Sequence, residues 1–234
     1  MIKAPICEVF SSIQGEGKSL GTPSTFVRVW GCNLRCRFDG VHCDTPYAVI
    51  KDKEKAKHIT PFQLCKEIAT YPNKHIIFTG GEPMLYQRFI LEVMDRLNRQ
   101  KKGSYTGEIE TNGTVPAIPC FTKHIKQINI SVKLKSSNQL DGFDTKRINY
   151  TALDTLNLPH KANFKFVISN EEDIEEVFEI AKKYKKLEIY FMPQGVDRET
   201  IIKNSRKVVK YCLQYGVRFS PREHIVLWDK KRGV

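Results

Sequence analysis

The sequence predicts an α/β fold, a modified or partial (β/α) barrel of about six parallel strands, filling residues 1–234 as a single domain. Three observations support this. Short apolar runs alternate with longer amphipathic ones, the pattern of successive βα units and a largely parallel sheet. The motifs richest in Cys, Gly, Glu and Asn directly follow the apolar runs, where parallel α/β folds gather their functional groups. A chain of 234 residues without internal repeat, low-complexity stretch or linker suffices for one full core.

In chain order, strands are expected at TFVRVW (25–30), HIIFTG (75–80), GEIET (107–111), INISV (128–132), FKFVI (164–168) and LEIYFM (187–192). The first helix, PFQLCKEIATY (61–71), opens with Pro61 at its first position behind Thr60, an N-cap residue. From Met84 to about Lys101, Leu85, Phe89, Val93, Met94 and Leu97 recur at helical spacing. After Ser169–Asn170, EEDIEEVFEIAKKYKK has acids in its first turn and lysines in its last, as the helix dipole favours. Its apolar stripe is Ile174, Val177, Phe178, Ala181 and Tyr184. A last helix over 198–215 uses Ile201, Ile202, Ser205, Val208, Val209 and Cys212 in the same way. Cys65 and Cys212 therefore fall in core stripes and read as packing residues.

The 41% hydrophobic and 10% aromatic content belongs to a globular protein. No run approaches the roughly 18 apolar residues of a membrane span. The opening MIKAPICEVF has neither the apolar core nor the cleavage site of a signal peptide, so a cytoplasmic location without membrane association is expected. Seven cysteines in a reducing compartment point to metal binding or redox chemistry rather than disulfides. The net charge of +12 is spread over KDKEKAK, KKYKK and similar stretches mixed with acids. That pattern suits solvated basic faces and anionic small molecules better than direct nucleic-acid binding.

GCNLRC follows TFVRVW, GGEP follows IIFT, TNG follows EIE, Ser131-x-Lys133 follows INI, and PQG follows IYFM. One site is thus assembled from dispersed segments. Within CNLRCRFDGVHC, Cys32, Cys36 and Cys43 are separated by three and then six residues. Three thiolates hold three irons of a [4Fe–4S] cubane, whereas a fourth protein ligand would close it. The open iron can chelate the amino and carboxylate groups of S-adenosylmethionine, and electron transfer into the sulfonium then releases a 5′-deoxyadenosyl radical. The usual spacing is C-x3-C-x2-C, so the second gap here carries four extra residues. Asp39–Gly40 is a turn dipeptide that can return Cys43 to the site, and doubling a short loop costs only about 0.6 kcal/mol of closure entropy. A zinc site using Cys32, Cys36, Cys43 and His42 is the alternative at this point, though it leaves the other strand-end motifs unexplained.

Around the cysteines the sequence resembles a known family. SIQGEG (12–17), FVRVWGCNLRC (26–36), CDTPYA (43–48), TGGEP (79–83), ETNGT (110–114) and the tail HIVLWDKKRGV (224–234) are similar to the 7-carboxy-7-deazaguanine synthases, radical S-adenosylmethionine enzymes of queuosine-type 7-deazapurine biosynthesis. GGEP alone would indicate only the superfamily; SIQGEG, the CDT triplet and the tail make the resemblance specific. It implies a carbon–nitrogen lyase that contracts 6-carboxy-5,6,7,8-tetrahydropterin to 7-carboxy-7-deazaguanine with loss of ammonia, using a [4Fe–4S] cluster, S-adenosylmethionine and Mg2+. It also implies a homodimer and an electron donor such as flavodoxin or ferredoxin. Other readings of the cysteines are a different radical enzyme, such as an anaerobic ribonucleotide reductase activase, and a zinc-dependent nucleic-acid-binding module.

The resemblance carries roles onto matching residues. Ile13, Gln14 and Gly15 would contact the pterin, with Glu16 nearby, Thr79 touching substrate, His224 approaching it and the Val234 carboxylate binding it. Arg28 would pair with the substrate carboxylate, and Glu110 would face the radical centre or substrate. Cys32, Cys36 and Cys43 would hold the cluster, and Thr45 would bind Mg2+. Around the cofactor would lie His42, Cys43, Asp44, Gly81, Ser131, Val132, Lys133, Met192, Pro193, Gln194 and Gly195. Val132 stands where members commonly have Pro. Either His42 or Phe38 would supply the adenine contact.

Overall fold

The computed structural model describes residues 2–38, 41–43, 45–51, 53–99, 104–137 and 146–234; of Val41 and His42 it describes the backbone alone. Strands β1 (Ala4–Ile13), β2 (Pro23–Val29), β3 (Arg37–Phe38), β4 (Val41–His42), β5 (Lys57–Ile59) and β6 (His75–Gly80) occupy the first third. β7 (Thr106–Thr111), β8 (Ile125–Ile130), β9 (Ala162–Ile168), β10 (Glu188–Pro193) and β11 (Arg218–Phe219) follow. The helices are α1 (Pro61–Ile68), α2 (Gln87–Arg99), α3 (Tyr150–Leu156), α4 (Glu172–Ala181), α5 (Arg198–Tyr215) and α6 (Glu223–Trp228).

Nine of the strands form one sheet in the order β11-β10-β9-β8-β7-β6-β2-β1-β5. From β2 to β11 every neighbouring pair is parallel, whereas β1 is antiparallel to β2 and β5 to β1. The two ends, β11 and β5, do not pair, so the barrel is partial. The six expected strands are all present, and β11 adds a short seventh parallel one. β1 escaped the sequence reading because its inner positions carry Glu8, Phe10 and Ser12, which blur the apolar pattern of a core strand.

Residues alternate between the two faces of each strand. One face presents Val27, Val29, Ile76, Phe78, Ile109, Ile128, Ile130, Phe164, Phe166 and Phe191 to the helix layer, in one core with Leu64, Ile68, Phe89, Val93, Leu97, Ile174, Val177 and Ile180. The other face carries Arg28, Thr79, Glu108, Glu110, Gln127, Asn129, Asn163 and Lys165, most of them buried. Burying such groups is unfavourable unless each finds a partner, so this polar, concave face must be an organised network.

Local signals hold at α1, where Thr60 and Gln63 form a capping box ahead of Pro61, although the helix stops at Ile68. α5 matches its expected span, capped by Asp197 and by Gly216 at φ 65°. Its buried stripe is Ile201, Val208, Tyr211 and Cys212, while Ile202 and Val209 are 43% and 37% exposed, because one helix face cannot hold both sets. Leu85 likewise is 45% exposed: a 3-10 turn at Pro83–Tyr86 precedes α2 and breaks the helical spacing that included it. Cys65 and Cys212 are buried, as expected. Among the described residues no helix is long and apolar enough to cross a membrane.

Candidate active site

The cysteine loop leaves the C-terminal end of β2. Gly31 N–H donates to Ala48 O at 2.8 Å, and Arg35 donates to the carbonyls of Cys32 (2.6 Å) and Leu34 (2.8 Å), folding the loop on itself. Cys32 Sγ accepts from Leu34 N–H at 3.4 Å and from Asn112 Nδ2 at 3.7 Å. Between Cys36 and Cys43, β3 and β4 pair antiparallel, Arg37 with His42 and Phe38 with Val41. Cys43 N–H closes the base of this pair on Cys36 O at 3.1 Å. This backbone pairing brings the second and third cysteines side by side. Asp39, Gly40 and Asp44 lie outside the described residues, as does the His42 side chain. Half-buried Phe38 belongs to β3, which packs against the 3-10 turn Lys135–Ser137. Thr45 Oγ1 lies 3.5 Å from Cys43 Sγ.

Burial pushes the Cys32 thiol up to about 11, so it becomes a thiolate at neutral pH when a metal takes the place of its proton. Among the described residues no three His, Cys, Asp or Glu side chains gather tightly enough to hold a single metal ion. The two N–H donors directed at the Cys32 sulfur would stabilise its charge as an iron–sulfur ligand.

The TGGEP segment packs against this loop from β6. A Cβ on Gly81 would lie 2.0 Å from Gly31 O, so glycine is required by the neighbouring backbone itself. Glu82 is fully buried and accepts from Met84 N–H (2.9 Å), Thr111 Oγ1 (2.8 Å) and Asn112 N–H (2.7 Å). Burial raises it to about 6 against these three donors. The carboxyl thus fastens the end of β6 to the end of β7 and aims Asn112 at Cys32.

Two residues before Asn112, Glu110 enters the polar face. Its Oε1 accepts from Gln14 Nε2 (3.1 Å) and Asn129 Nδ2 (2.8 Å), and its Oε2 meets Lys165 Nζ at 2.5 Å. Lys165 also meets Glu16 Oε2 at 2.6 Å, and Arg222 Nε reaches Glu16 Oε1 at 3.1 Å. Glu108 binds Gln14 and Asn129 through one oxygen, at 2.6 and 2.8 Å, and His75 through the other at 3.0 Å. Below them Gln127 donates to Asn163. Burial would push Glu16 up, but Lys165, Arg222 and His224 hold it well below the ordinary carboxylate range. Burial pushes Glu110 up to about 7, with Lys165 opposing and Glu16 and Glu108 adding.

The C-terminal segment closes one side. Glu223 N–H donates to Gly15 O at 2.9 Å and Gly17 N–H to Ser220 Oγ at 2.8 Å, docking α6 on the SIQGEG turn. A Cβ on Gly15 would meet His224 Nδ1 at 2.5 Å, which places His224 beside Ile13–Glu16. Its Nε2 is 3.9 Å from Glu16 Oε1. Arg28 Nε pairs with Glu8 at 2.6 Å and its guanidinium lies between the rings of Phe10 and Tyr47. Glu8 also accepts from Tyr47 OH at 3.3 Å and meets Arg232 at 3.8 Å, two residues from partly buried Val234. Just past β8, Lys133 donates to Ser131 Oγ at 2.9 Å beside buried Val132, and Ser131 N–H to Thr111 O at 2.7 Å. Met192 and Pro193 are buried, Gln194 O accepts from Asn204 (2.7 Å), and Gly195 O accepts from Arg222 (2.6 Å).

With this geometry the chain can be set beside known proteins. It is 32% identical over 230 residues to the 7-carboxy-7-deazaguanine synthase of Pyrobaculum aerophilum, covering 97% of this chain and 96% of that one. It is 31% identical over 238 residues to the protein of the same name from Clostridium acetobutylicum, covering 98% of both. The chain belongs to the 7-carboxy-7-deazaguanine synthase family. The crystal structure of QueE from Escherichia coli has the same fold, with a TM-score of 0.73 and 23% identity over 96% of each chain. No protein-family model matches the chain.

Family membership and the partial barrel agree with the sequence reading. That reading missed Lys165, Arg222, Glu108 and Asn129. One signal was available: Lys165 is a lone charge within the otherwise apolar run FKFVI, between Phe164 and Phe166, where only a partnered lysine is tolerated. Arg222 carries no such local mark.

Proposed function

We propose that the chain contracts 6-carboxy-5,6,7,8-tetrahydropterin to 7-carboxy-7-deazaguanine with release of ammonia, in queuosine-type 7-deazapurine biosynthesis. One observation carries this reading: the end of β7 joins both halves of the site, Asn112 touching Cys32 Sγ and Glu110 lying within the polar network. Cys32, Cys36 and Cys43 would hold a [4Fe–4S] cluster. When bound, the cluster and S-adenosylmethionine supply the one-electron chemistry that starts the reaction by hydrogen-atom abstraction at C6 of the pterin.

The protein's part is binding, orientation and proton handling. Ser131, Val132 and Lys133 at one strand end, Met192–Gly195 at another, and Gly81 and Cys43 would surround the cofactor. Thr45 supplies a hydroxyl to Mg2+, a hard cation that prefers oxygen. Ile13, Gln14, Gly15, Thr79, His224 and the Val234 carboxylate would contact the pterin, with Glu16 nearby. Arg28 receives the substrate carboxylate on guanidinium donors other than the Nε–H given to Glu8. Glu110, near 7, exchanges a proton around neutral pH, the property required of a group that protonates a departing amine. The chain acts as one domain over residues 1–234, as a cytoplasmic homodimer supplied with electrons by a flavodoxin or ferredoxin.

The test is turnover by protein reconstituted with iron and sulfide without oxygen. Given reductant, S-adenosylmethionine, Mg2+ and the carboxy-tetrahydropterin, it forms the deazaguanine and ammonia. Cofactor cleavage with no such product would indicate a different radical enzyme, and failure to assemble a cluster would overturn the class.

A further inference from the structure

Lys165 is 2% exposed and stands between two buried carboxyl groups drawn from distant parts of the chain, Glu16 at 2.6 Å and Glu110 at 2.5 Å. Strand alternation sends it to the concave face, since Phe164 and Phe166 on either side enter the helix-covered core. Resting on the pterin-contracting function proposed above, we infer that Lys165 is a positioning residue, whose one ammonium holds Glu16 and Glu110 as a fixed pair facing the substrate.

The charge balance supports this. Three carboxyl groups, Glu16, Glu108 and Glu110, meet two permanent cations, Lys165 and Arg222, and two histidines, His75 and His224. Tyr190 adjoins Lys165 on β10. The three acids thus outnumber the two permanent cations. Glu110 shares Lys165 with Glu16 and shares Gln14 and Asn129 with Glu108, so it faces a carboxyl group on both sides. Glu16, held by Lys165 and Arg222 together, stays ionised to accept N–H donors from the pterin. Removing Lys165 leaves two carboxylates facing each other without their common cation. Both then favour protonation, and the acceptor offered to the substrate is lost.

Equilibrium binding of 6-carboxy-tetrahydropterin to reconstituted, unreduced enzyme loaded with S-adenosylmethionine, measured across pH, tests this in K165M and K165R. K165M is expected to raise the pterin Kd roughly 10- to 100-fold and to move the acid limb of binding up by about one pH unit or more. K165R, which keeps the cation, is expected to stay within about fivefold of the parent Kd with an unmoved limb. A K165M protein with parental melting temperature and iron content, but parental Kd and pH dependence, overturns the inference. So does a K165R protein that loses as much as K165M; if K165M does not fold, K165R alone decides. Binding is read without turnover, so the two claims separate. Parent enzyme that binds the pterin but makes no deazaguanine overturns the reaction and leaves the Lys165 comparison intact, whereas parent enzyme that binds no pterin overturns both.

Discussion

The guanidinium of Arg232 lies 3.3 Å from the centroid of the Tyr47 ring, fixing the C-terminal tail against the segment that follows the third cysteine. Arg232 also reaches Glu8, the residue that holds Arg28. The tail and the proposed carboxylate-binding arginine are thus coupled through one acid and one ring. Removing the stack with R232M or Y47L is expected to cost about 0.5–1 kcal/mol of tail docking. The pterin KM should rise by roughly two- to fivefold with little change in kcat, as expected when uniform binding is lost. Steady-state kinetics check this, and a fall in kcat at constant KM would contradict it.

Glu110 makes stability depend on pH. Its carboxyl is raised from 4.5 to about 7 in the folded protein, chiefly by burial. Between those values the folded state keeps a proton that the unfolded chain has lost, so this group's contribution to stability is full below 4.5 and falls as pH rises through about 7. E110Q removes the titration. Melting curves at about pH 5 and about pH 8 should show a smaller pH-dependent loss in E110Q than in the parent.

Strand β3 packs on the turn after Ser131–Lys133, the residues proposed to hold the cofactor. F38A is expected to weaken S-adenosylmethionine binding by roughly three- to tenfold, the loss for a large part of one aromatic contact, with iron content unchanged. H42A measured in parallel shows which residue meets the adenine. Parental affinity in both would reduce the β3–β4 pair to a tolerated loop.

Gly81 should accept no side chain. Its Cβ would collide with backbone atoms of Gly31 and Ala48, which cannot move without displacing the cysteine loop. G81A is expected to lose about 3 kcal/mol in urea unfolding, the upper range for overpacking, and to take up less iron on reconstitution.

Much of this site could be read from the sequence because its motifs sit at strand ends, where a local run of apolar residues announces the strand and the next few residues announce the chemistry. The span of α5 could be read approximately from its apolar spacing, and Asp197 and Gly216 cap it in the structure. What escaped the sequence is non-local. Glu16 meets Lys165 across 149 positions and Arg222 across 206, and no window of sequence contains such a pair. β1 escaped because Glu8 and Ser12 interrupt its inner positions, so it lacks the continuous apolar run of the core strands. Arg28, expected at the substrate carboxylate, pairs with Glu8, a partner set by the β1–β2 register, which the sequence does not display.

The central claim is that the cysteine loop and the Glu16–Lys165–Glu110 face act on one pterin. The most direct measurement uses 6-carboxy-tetrahydropterin deuterated at C6, turned over by the reconstituted enzyme, with S-adenosylmethionine recovered for mass spectrometry. Deuterium should appear in the recovered cofactor alongside the deazaguanine, because hydrogen leaves C6 for the adenosyl group and the cofactor is then regenerated. Deazaguanine formed with no label in the cofactor, or labelled cofactor with the pterin skeleton intact, would contradict the account.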